Sequence, residues 1–563
     1  MQEDVPREDQ PDSAPLQPPP AGSSIAPDAV SDTPPAPPVV PTGTVVSNHG
    51  GGRGKTKFII LTILVLAIAA GLAAYLAHSS HPKTVATKKD IPYLTYGFQD
   101  TGDITPNYPV STANSANTVL IAAQLFEGLV RDQNQIKIAP ALATSWSNPN
   151  DTTWVFNLRH GVKFHSGRTM TATDVKYSLD YAVANQGEQN NSTLLAEASG
   201  IDQVTVVSPY QVKITTNGPD GVLLNQLAYL YVVDSKAKLG DPNAGTGPYT
   251  VKPGTVKPNA TTLDLVASDN YWDGHVYTRA IHFQEDAALD QLATDTANGK
   301  LDIAGDFPDQ QLMTIKNKNT HYQPITVPDL GITYLELNLE RSGSPLQSLA
   351  ARQAETYALN AKAIIKAGSL NGTPVNQVIP QTLPGYDPSI KTTPYNPAKA
   401  KQLLATVPNA SAPLTLFYPA GDEGQVGEIA KELNAVGFNV KATVVDDFDT
   451  FINQLTSGQG DMFYLSYTTN TLDGLDMINN TVAGTQNYTS PELTTLINQA
   501  GATIDPAARI AVLQKIEQLV AKDIPTIALY TQIRTYTLAK PYVVNVDIPG
   551  ADVGTYFYQV YQK

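Results

Sequence analysis

The sequence predicts an α/β protein of more than one folding unit, on three observations. Its 563 residues exceed what a single hydrophobic core supports. A strand-helix-strand unit over Leu414–Phe417, Gly427–Val436 and Asn439–Val444 has the pattern of a crossover in a parallel sheet. Residues Lys137 to Tyr181 read as polar turn, strand, tight turn, helix, which makes a rigid corner.

Taken in order, residues 1–56 are rich in Pro, Asp, Ser and Gly, and "PLQPPP" and "PPAPPVVP" favour extended polyproline conformations. Such a segment cannot bury a core and is expected to be disordered. Gly50–Thr56, GGGRGKT, ends like a phosphate-binding loop, but His49 stands where the first glycine belongs and no strand precedes it, so nucleotide binding is rejected.

Phe58 to Ala77 is uncharged for 20 residues, the length that spans a bilayer core. Its Leu, Ile, Val and Phe side chains contribute roughly −3 to −7 kcal/mol of insertion free energy. Arg53, Lys55 and Lys57 crowd its N-terminal end, while Lys83, Lys88 and Lys89 lie beyond the other. The nearer cluster predicts a single-pass anchor with the N-terminus in the cytoplasm and the bulk of the chain outside. A cleaved signal peptide is the alternative, disfavoured by the long preceding tail and by Tyr75 in the small-x-small position before His78. Residues 78–90 form a polar linker.

From residue 91 the chain reads as folded. A helix is expected over Ser115–Leu129, with Leu120, Leu125, Phe126 and Leu129 on its apolar side. In the corner, Asn148–Asp151 is a turn cluster. Thr153–Leu158 alternates as a strand with Trp154, Phe156 and Leu158 on one face. Thr171 caps the next helix, with Asp174 three residues on in a variant of the capping box. Gln203–Val207 and Gln211–Thr215 flank Ser208-Pro209-Tyr210 as a hairpin, and a helix near 220–230 follows. In Gly245-Thr246-Gly247-Pro248-Tyr249 the glycines permit a tight backbone path. Asp290–Gly299 is helical and 332–338 is a strand ending at Asn338. Four cap-plus-proline pairs, Ser344-Pro345, Asn396-Pro397, Ser490-Pro491 and Asp505-Pro506, start helices.

Several of these stretches resemble one known family. "APALATSW", "TTWVFNLRHGVKFHSG", "TATDVKYSLDYA", "GTGPY", "LVASDNYWDG", "GKLDIAGDFP", "ARQAETYALN" and "DPAARIAVLQKIEQLVAKDIPTIALY" are similar to the signatures of the peptide/nickel class of ABC-importer solute-binding proteins, family 5. The resemblance covers roughly 91–545. It implies a two-lobed α/β protein of the periplasmic-binding-protein type (class II, peptide-binding-like), preceded by the one transmembrane helix. Lobe one would comprise about 91–127, 246–330 and 525–563, an extra subdomain about 128–245, and lobe two about 331–524, with strands crossing between lobes as the hinge.

Composition narrows the function. There are no cysteines, hence no disulfides, thiolate metal sites or lipid-modified cysteine anchor. The net charge is −15, and residues 90–563 alone carry 45 acids against 30 bases, a poor surface for nucleic acid. No two of the eight histidines have convincing metal-ligand spacing; His160 and His165 fall in the corner as scaffold, and His275 and His282 straddle a strand. Neither a Gly-x-Ser-x-Gly elbow nor a His-Glu-x-x-His helix is present, so no enzyme and no cofactor are expected.

What the resemblance implies instead is an extracellular (or periplasmic) receptor that captures an oligopeptide between two lobes and hands it to a permease with ATPase subunits. Nickel chelates or oligosaccharides as the solute, and a ligand sensor or scaffold uncoupled from transport, are the alternatives. In peptide-binding members an Asp after a "GW" pairs with the peptide α-amino group. Here Tyr467 replaces the Trp and Asn470 the Asp, so that ion pair is lost; Asp473, three residues on, is the one acid placed to compensate. The candidate ligand contacts are Asn338, Phe417, Tyr467, Thr468, Asn470, Asp473 and Tyr530.

Overall fold

The computed structural model describes residues 88–562 except 100–103, 105–107, 109–115, 134–136, 186–196, 257–259, 287, 306, 308, 470, 539, 541 and 544–556. The expected tail and the Phe58–Ala77 span lie outside the described residues. Among the described residues no helix is long and apolar enough to cross a membrane.

The spans expected as lobe one, subdomain and lobe two keep those names below; the first opens with β1 (Leu94–Phe98) and α1 (Ala116–Leu125). The helix stops four residues short of Leu129, because Glu127 turns out to bridge Val232. The subdomain follows: β2 (Val130–Gln133), β3 (Lys137–Pro140), β4 (Ala143–Asn150), β5 (Thr153–Leu158), α2 (Ala172–Asn185), β6 (Ile201–Ser208), β7 (Gln211–Thr216) and α3 (Leu223–Tyr229). Its four-stranded sheet has the order β4-β5-β7-β6. Trp154, Phe156 and Leu158 are buried on one face of β5. The Asp174 carboxylate accepts from the Thr171 N–H at 2.9 Å, completing the cap. The 148–151 turn is displaced: β4 runs on to Asn150 through a bulge between Ser147 and Asn150, so the turn falls at Asp151-Thr152.

The chain returns to lobe one through β8 (Tyr249–Val251), β9 (Thr262–Ala267), β10 (Ala280–Glu285), α4 (Leu289–Ala297), β11 (Ile303–Ala304), α5 (Asp309–Lys318) and β12 (Gln323–Pro328). Lobe two holds β13 (Gly331–Leu337), α6 (Leu349–Ala358), α7 (Ala361–Ala367), β14 (Gly372–Pro374), α8 (Pro397–Leu404), β15 (Pro413–Pro419), α9 (Glu423–Val436), β16 (Asn439–Val445), α10 (Phe448–Thr456), β17 (Met462–Thr468), α11 (Gly474–Ile478), α12 (Pro491–Ala502) and α13 (Pro506–Asp523). The expected crossover is present: β15, α9 and β16 form a parallel pair with its helix. Asn396, Ser490 and Asp505 cap their helices through their side chains with Pro at the first position. Ser344-Pro345 instead opens a single 3₁₀ turn, and α6 starts only at Leu349.

The last long strand, β18 (Thr526–Leu538), joins the lobes. One sheet runs β16-β15-β17-β13-β18-β11-β1-β10-β9-β8, with β12 and β14 also paired to β18. Residues 526–530 of β18 pair with β13 of lobe two, and residues 533–538 with β12. Strand β18 thus passes from one half of the sheet to the other along its own length, its partner strand changing near Gln532. Every residue of β13 is buried, because helices cover both its faces. Leu335 and Leu337 pack with α6 to α9, while Ile332 and Tyr334 pack with α11 to α13.

Candidate functional site

Strand direction locates the crevice. In lobe two β15, β16 and β17 are parallel and end together at Pro419, Val445 and Thr468. Gly331, the start of β13, pairs with Thr468 at the same edge. In lobe one β10 and β11 are both parallel to β1, ending at Glu285, Ala304 and Phe98. Because Ala304 pairs with Thr537 of antiparallel β18, these ends point back toward the crossing strands. The carboxyl ends of the parallel strands in both lobes thus converge on the β12–β13 and β18 crossing, the general location for ligands in open α/β sheets.

Asp329 sits at the centre of this crossing. Its N–H donates to the Gln532 carbonyl at 2.8 Å. One carboxylate oxygen accepts from Arg534 Nε at 3.1 Å and the other from Thr468 Oγ1 at 3.3 Å. A single buried side chain thereby ties both crossing strands to the end of β17. Sequence inspection missed Asp329 and Arg534, which are 205 positions apart and meet only through sheet register.

The candidate residues from the sequence separate into two groups. Tyr467 and Thr468, at the crevice end of β17, are half-buried. The Tyr467 hydroxyl donates to Asp476 at 2.9 Å, and burial raises the Asp476 carboxyl above the usual carboxylate range. Asn470 lies outside the described residues. The others are occupied by the scaffold. Asn338 follows the opposite end of β13, where its buried amide donates to the Gly458 and Gly460 carbonyls at 2.9 and 3.0 Å. Tyr530 is fully buried with its hydroxyl 2.8 Å from that of Tyr464. Phe417 packs on Phe463, ring centres 5.8 Å apart. Asp473 makes a two-pronged pair with Arg509 at 2.6 and 2.7 Å, both side chains buried, so its charge is already matched inside lobe two.

The same Arg509 faces the subdomain. Asp220 is buried beside it, just before α3. The Gly221 N–H donates to the Gly501 carbonyl at 2.7 Å, and Asn225 Nδ2 donates to the Thr471 carbonyl at 2.9 Å. The subdomain and lobe two are therefore in direct contact beside the crevice.

Two motifs read from the sequence, "GTGPY" and "NYWDG", meet at one carboxyl, that of Glu127. The half-buried Glu127 carboxyl accepts from Thr246 Oγ1 at 2.7 Å, Tyr271 Oη at 2.9 Å and Trp272 Nε1 at 2.7 Å. Burial nonetheless pushes its pKa up to about 7. Gly245 and Gly247 are required here: a Cβ on either would overlap the Leu125 carbonyl. The four histidines named from the sequence, His160, His165, His275 and His282, have protein partners. His165 Nε2 lies 3.0 Å from the Gly247 carbonyl, His160 stacks on Tyr210, and His275 and His282 pair with Asp90 and Asp264. A separate cavity of about 410 Å³ opens in lobe two between Leu359–Lys362, Pro374–Val378, Ile390–Tyr395 and the end of α13. None of the sequence-derived candidates lines it.

Comparison with known proteins decides the family. The family model for bacterial extracellular solute-binding proteins, family 5, matches residues 137–489. The chain belongs to the family 5 solute-binding proteins. A relative, the glutathione-binding protein GsiB of Escherichia coli K12, is 25% identical over 451 residues, covering 75% of this chain and 86% of its own. Among solved structures, DppA from Helicobacter pylori in complex with the peptide STSA is 19% identical with a TM-score of 0.67. It covers 84% of this chain and 98% of its own. NikA from Staphylococcus aureus in complex with Ni(L-His)2 is 21% identical with a TM-score of 0.64, covering 84% and 100%. These structures share the two-lobed α/β fold. Family 5 members are solute-binding proteins of ABC importers, and this chain is one rather than an enzyme.

Proposed function

We propose that the chain captures an oligopeptide in the crevice between its lobes and delivers it to an ABC permease powered by cytoplasmic ATPases. The observation that carries this reading is the convergence of the parallel-strand ends of both lobes on one two-stranded crossing, the arrangement from which lobes close by hinge motion. Glutathione and STSA, named for two of the similar proteins, are both short peptides, which favours that solute class over a metal chelate. Tyr467, Thr468 and Asn470 are the contacts proposed on the lobe-two side. Asn470 accepts or donates a neutral hydrogen bond where an aspartate would make an ion pair, so selection for a free α-amino terminus is weakened. Phe58–Ala77 is proposed to anchor the chain in the membrane, with the solute-binding region outside.

The test is thermal unfolding of the full chain with pooled peptides of two to ten residues, with glutathione, and with Ni(L-His)2. A ligand at a hundred times its dissociation constant adds about 2.7 kcal/mol to the native state. A shift with peptides supports the reading. A shift with the nickel complex alone replaces the solute, and no shift in any pool overturns peptide capture.

A further inference from the structure

The contact between the subdomain and lobe two has an unusual construction. Asp220 is held in place within the subdomain: its carboxylate accepts the Val222 N–H at 2.9 Å and packs against Gly200. It presents its charge to Arg509, which is held on the lobe-two side by Asp473 and, through Nε at 2.9 Å, by the Ala500 carbonyl. Gly221 then docks against backbone. A Cβ there would lie 3.0 Å from the Thr503 carbonyl carbon, closer still to its oxygen, and 3.1 Å from Arg509 Cδ. Asn225 completes the contact on Thr471, two residues from Asp473. The Gly221 N–H, Asn225 Nδ2 and the Nε, Nη1 and Nη2 of Arg509 each donate directly to a protein acceptor.

Its location matters. Lobe one and lobe two are joined covalently at the β12–β13 and β18 crossing. The 220–225 segment makes a second, non-covalent connection, to the loops after β17 and α12. Two bodies held at a crossing alone keep a rotational freedom that a second contact removes. We propose that Asp220, Gly221 and Asn225 are positioning residues for solute capture: they clasp the subdomain to lobe two and thereby set the width of the crevice. The inference rests on the capture reading above but concerns the lobes themselves, so it is tested without any solute.

The chain has no native cysteine, so two can be introduced as unique spin-label sites. Val207 of the subdomain, 53% exposed, and Lys522 of lobe two, with a side chain 70% exposed, serve as positions. Interspin distances are measured by pulsed electron resonance on the full chain in detergent, alone and with Gly221→Ala, Asn225→Ala or Gly218→Ala. Gly221 does not adopt a positive φ, so alanine is compatible with its own backbone and acts only by pushing on Thr503. Gly218 has open space where a Cβ would go and is the matched control.

The clasp predicts a longer, broader distance distribution for Gly221→Ala and Asn225→Ala, with Gly218→Ala unchanged. Unfolding midpoints report separately on folding. If Gly221→Ala fails to fold, Asn225→Ala, which only removes a side-chain donor, decides alone. Distances identical to the parent in every folded variant overturn the clasp and leave the capture reading untouched.

Discussion

Replacing Glu355 by leucine should make the protein more stable, and by an amount that depends on pH. Glu355 lies on the face of α6 that also buries Ala351, Ala354 and Ala358, and it is itself fully buried. Neither carboxyl oxygen has a hydrogen-bond partner. Arg352, one turn earlier, is occupied elsewhere, donating to the Asp523, Leu346 and Gln347 carbonyls. Burial accordingly raises the Glu355 pKa from an ordinary 4.5 to about 8. The family pattern that this segment resembles has an apolar residue at the position.

The sign follows from linkage. In the unfolded chain the group loses its proton near pH 4.5, whereas in the native state it keeps it until about pH 8. Between those values the native state binds more protons, so its stability falls as pH rises through that window and is unaffected by this group below it. Relative to a side chain that cannot ionise, the cost is about 3 kcal/mol at pH 7 and about 1 kcal/mol at pH 5. Urea unfolding of the parent, Glu355→Leu and Glu355→Gln at both pH values measures it. The gap between parent and Glu355→Leu should widen by about 2 kcal/mol from pH 5 to pH 7. Glu355→Gln separates ionisation from packing, since it removes the titration and keeps the shape and polarity. A gap that is the same at both pH values would show that Glu355 does not titrate in this window and would refute the reasoning.

Removing Arg509 by Arg509→Ala leaves Asp473 buried without its cation and should cost about 3–5 kcal/mol in the same urea assay. Asp174→Asn strips the corner helix of its capping carboxylate and of its pair with Arg168. A loss of about 2 kcal/mol is expected, and full retention of stability would show the corner is held by its apolar face alone.

Much of the scaffold was legible because its signals are local. The alternation of Trp154, Phe156 and Leu158 fixes the face of a strand within six residues, and a cap with Pro at the first helical position needs only two. Ser344-Pro345 shows the limit: the same pair starts a 3₁₀ turn here, and Ser348, in extended backbone, interrupts the path before the helix begins at Leu349. The site was less legible, because its chemistry depends on pairings at long sequence separation. Asp473 looked available for a ligand amine until Arg509, 36 residues on, proved to hold it. Asn338 ends a strand, but which end of the sheet faces the crevice is set by the direction of its neighbours, which no local pattern encodes. Glu127 illustrates the intermediate case: its neighbours in "GTGPY" and "NYWDG" were each recognisable as motifs, and only folding reveals that one carboxyl unites them.

The position of β18 carries a consequence for biosynthesis. The strand that stands between β13 and β11 begins at residue 526 of a 563-residue chain. Until it has been synthesised, both half-sheets end in an unpaired internal edge, β13 on one side and β11 on the other, and neither lobe can be sealed. From the completion of β13 at Leu337 until β18 is made, the nascent chain thus carries two exposed strand edges, the kind of surface that pairs with foreign strands. Folding of lobe one waits on β18, whose partners β11 and β12 precede it by more than 200 residues, and pairings of such long sequence separation form slowly. A chain truncated just before residue 526 would have lost the middle of its sheet.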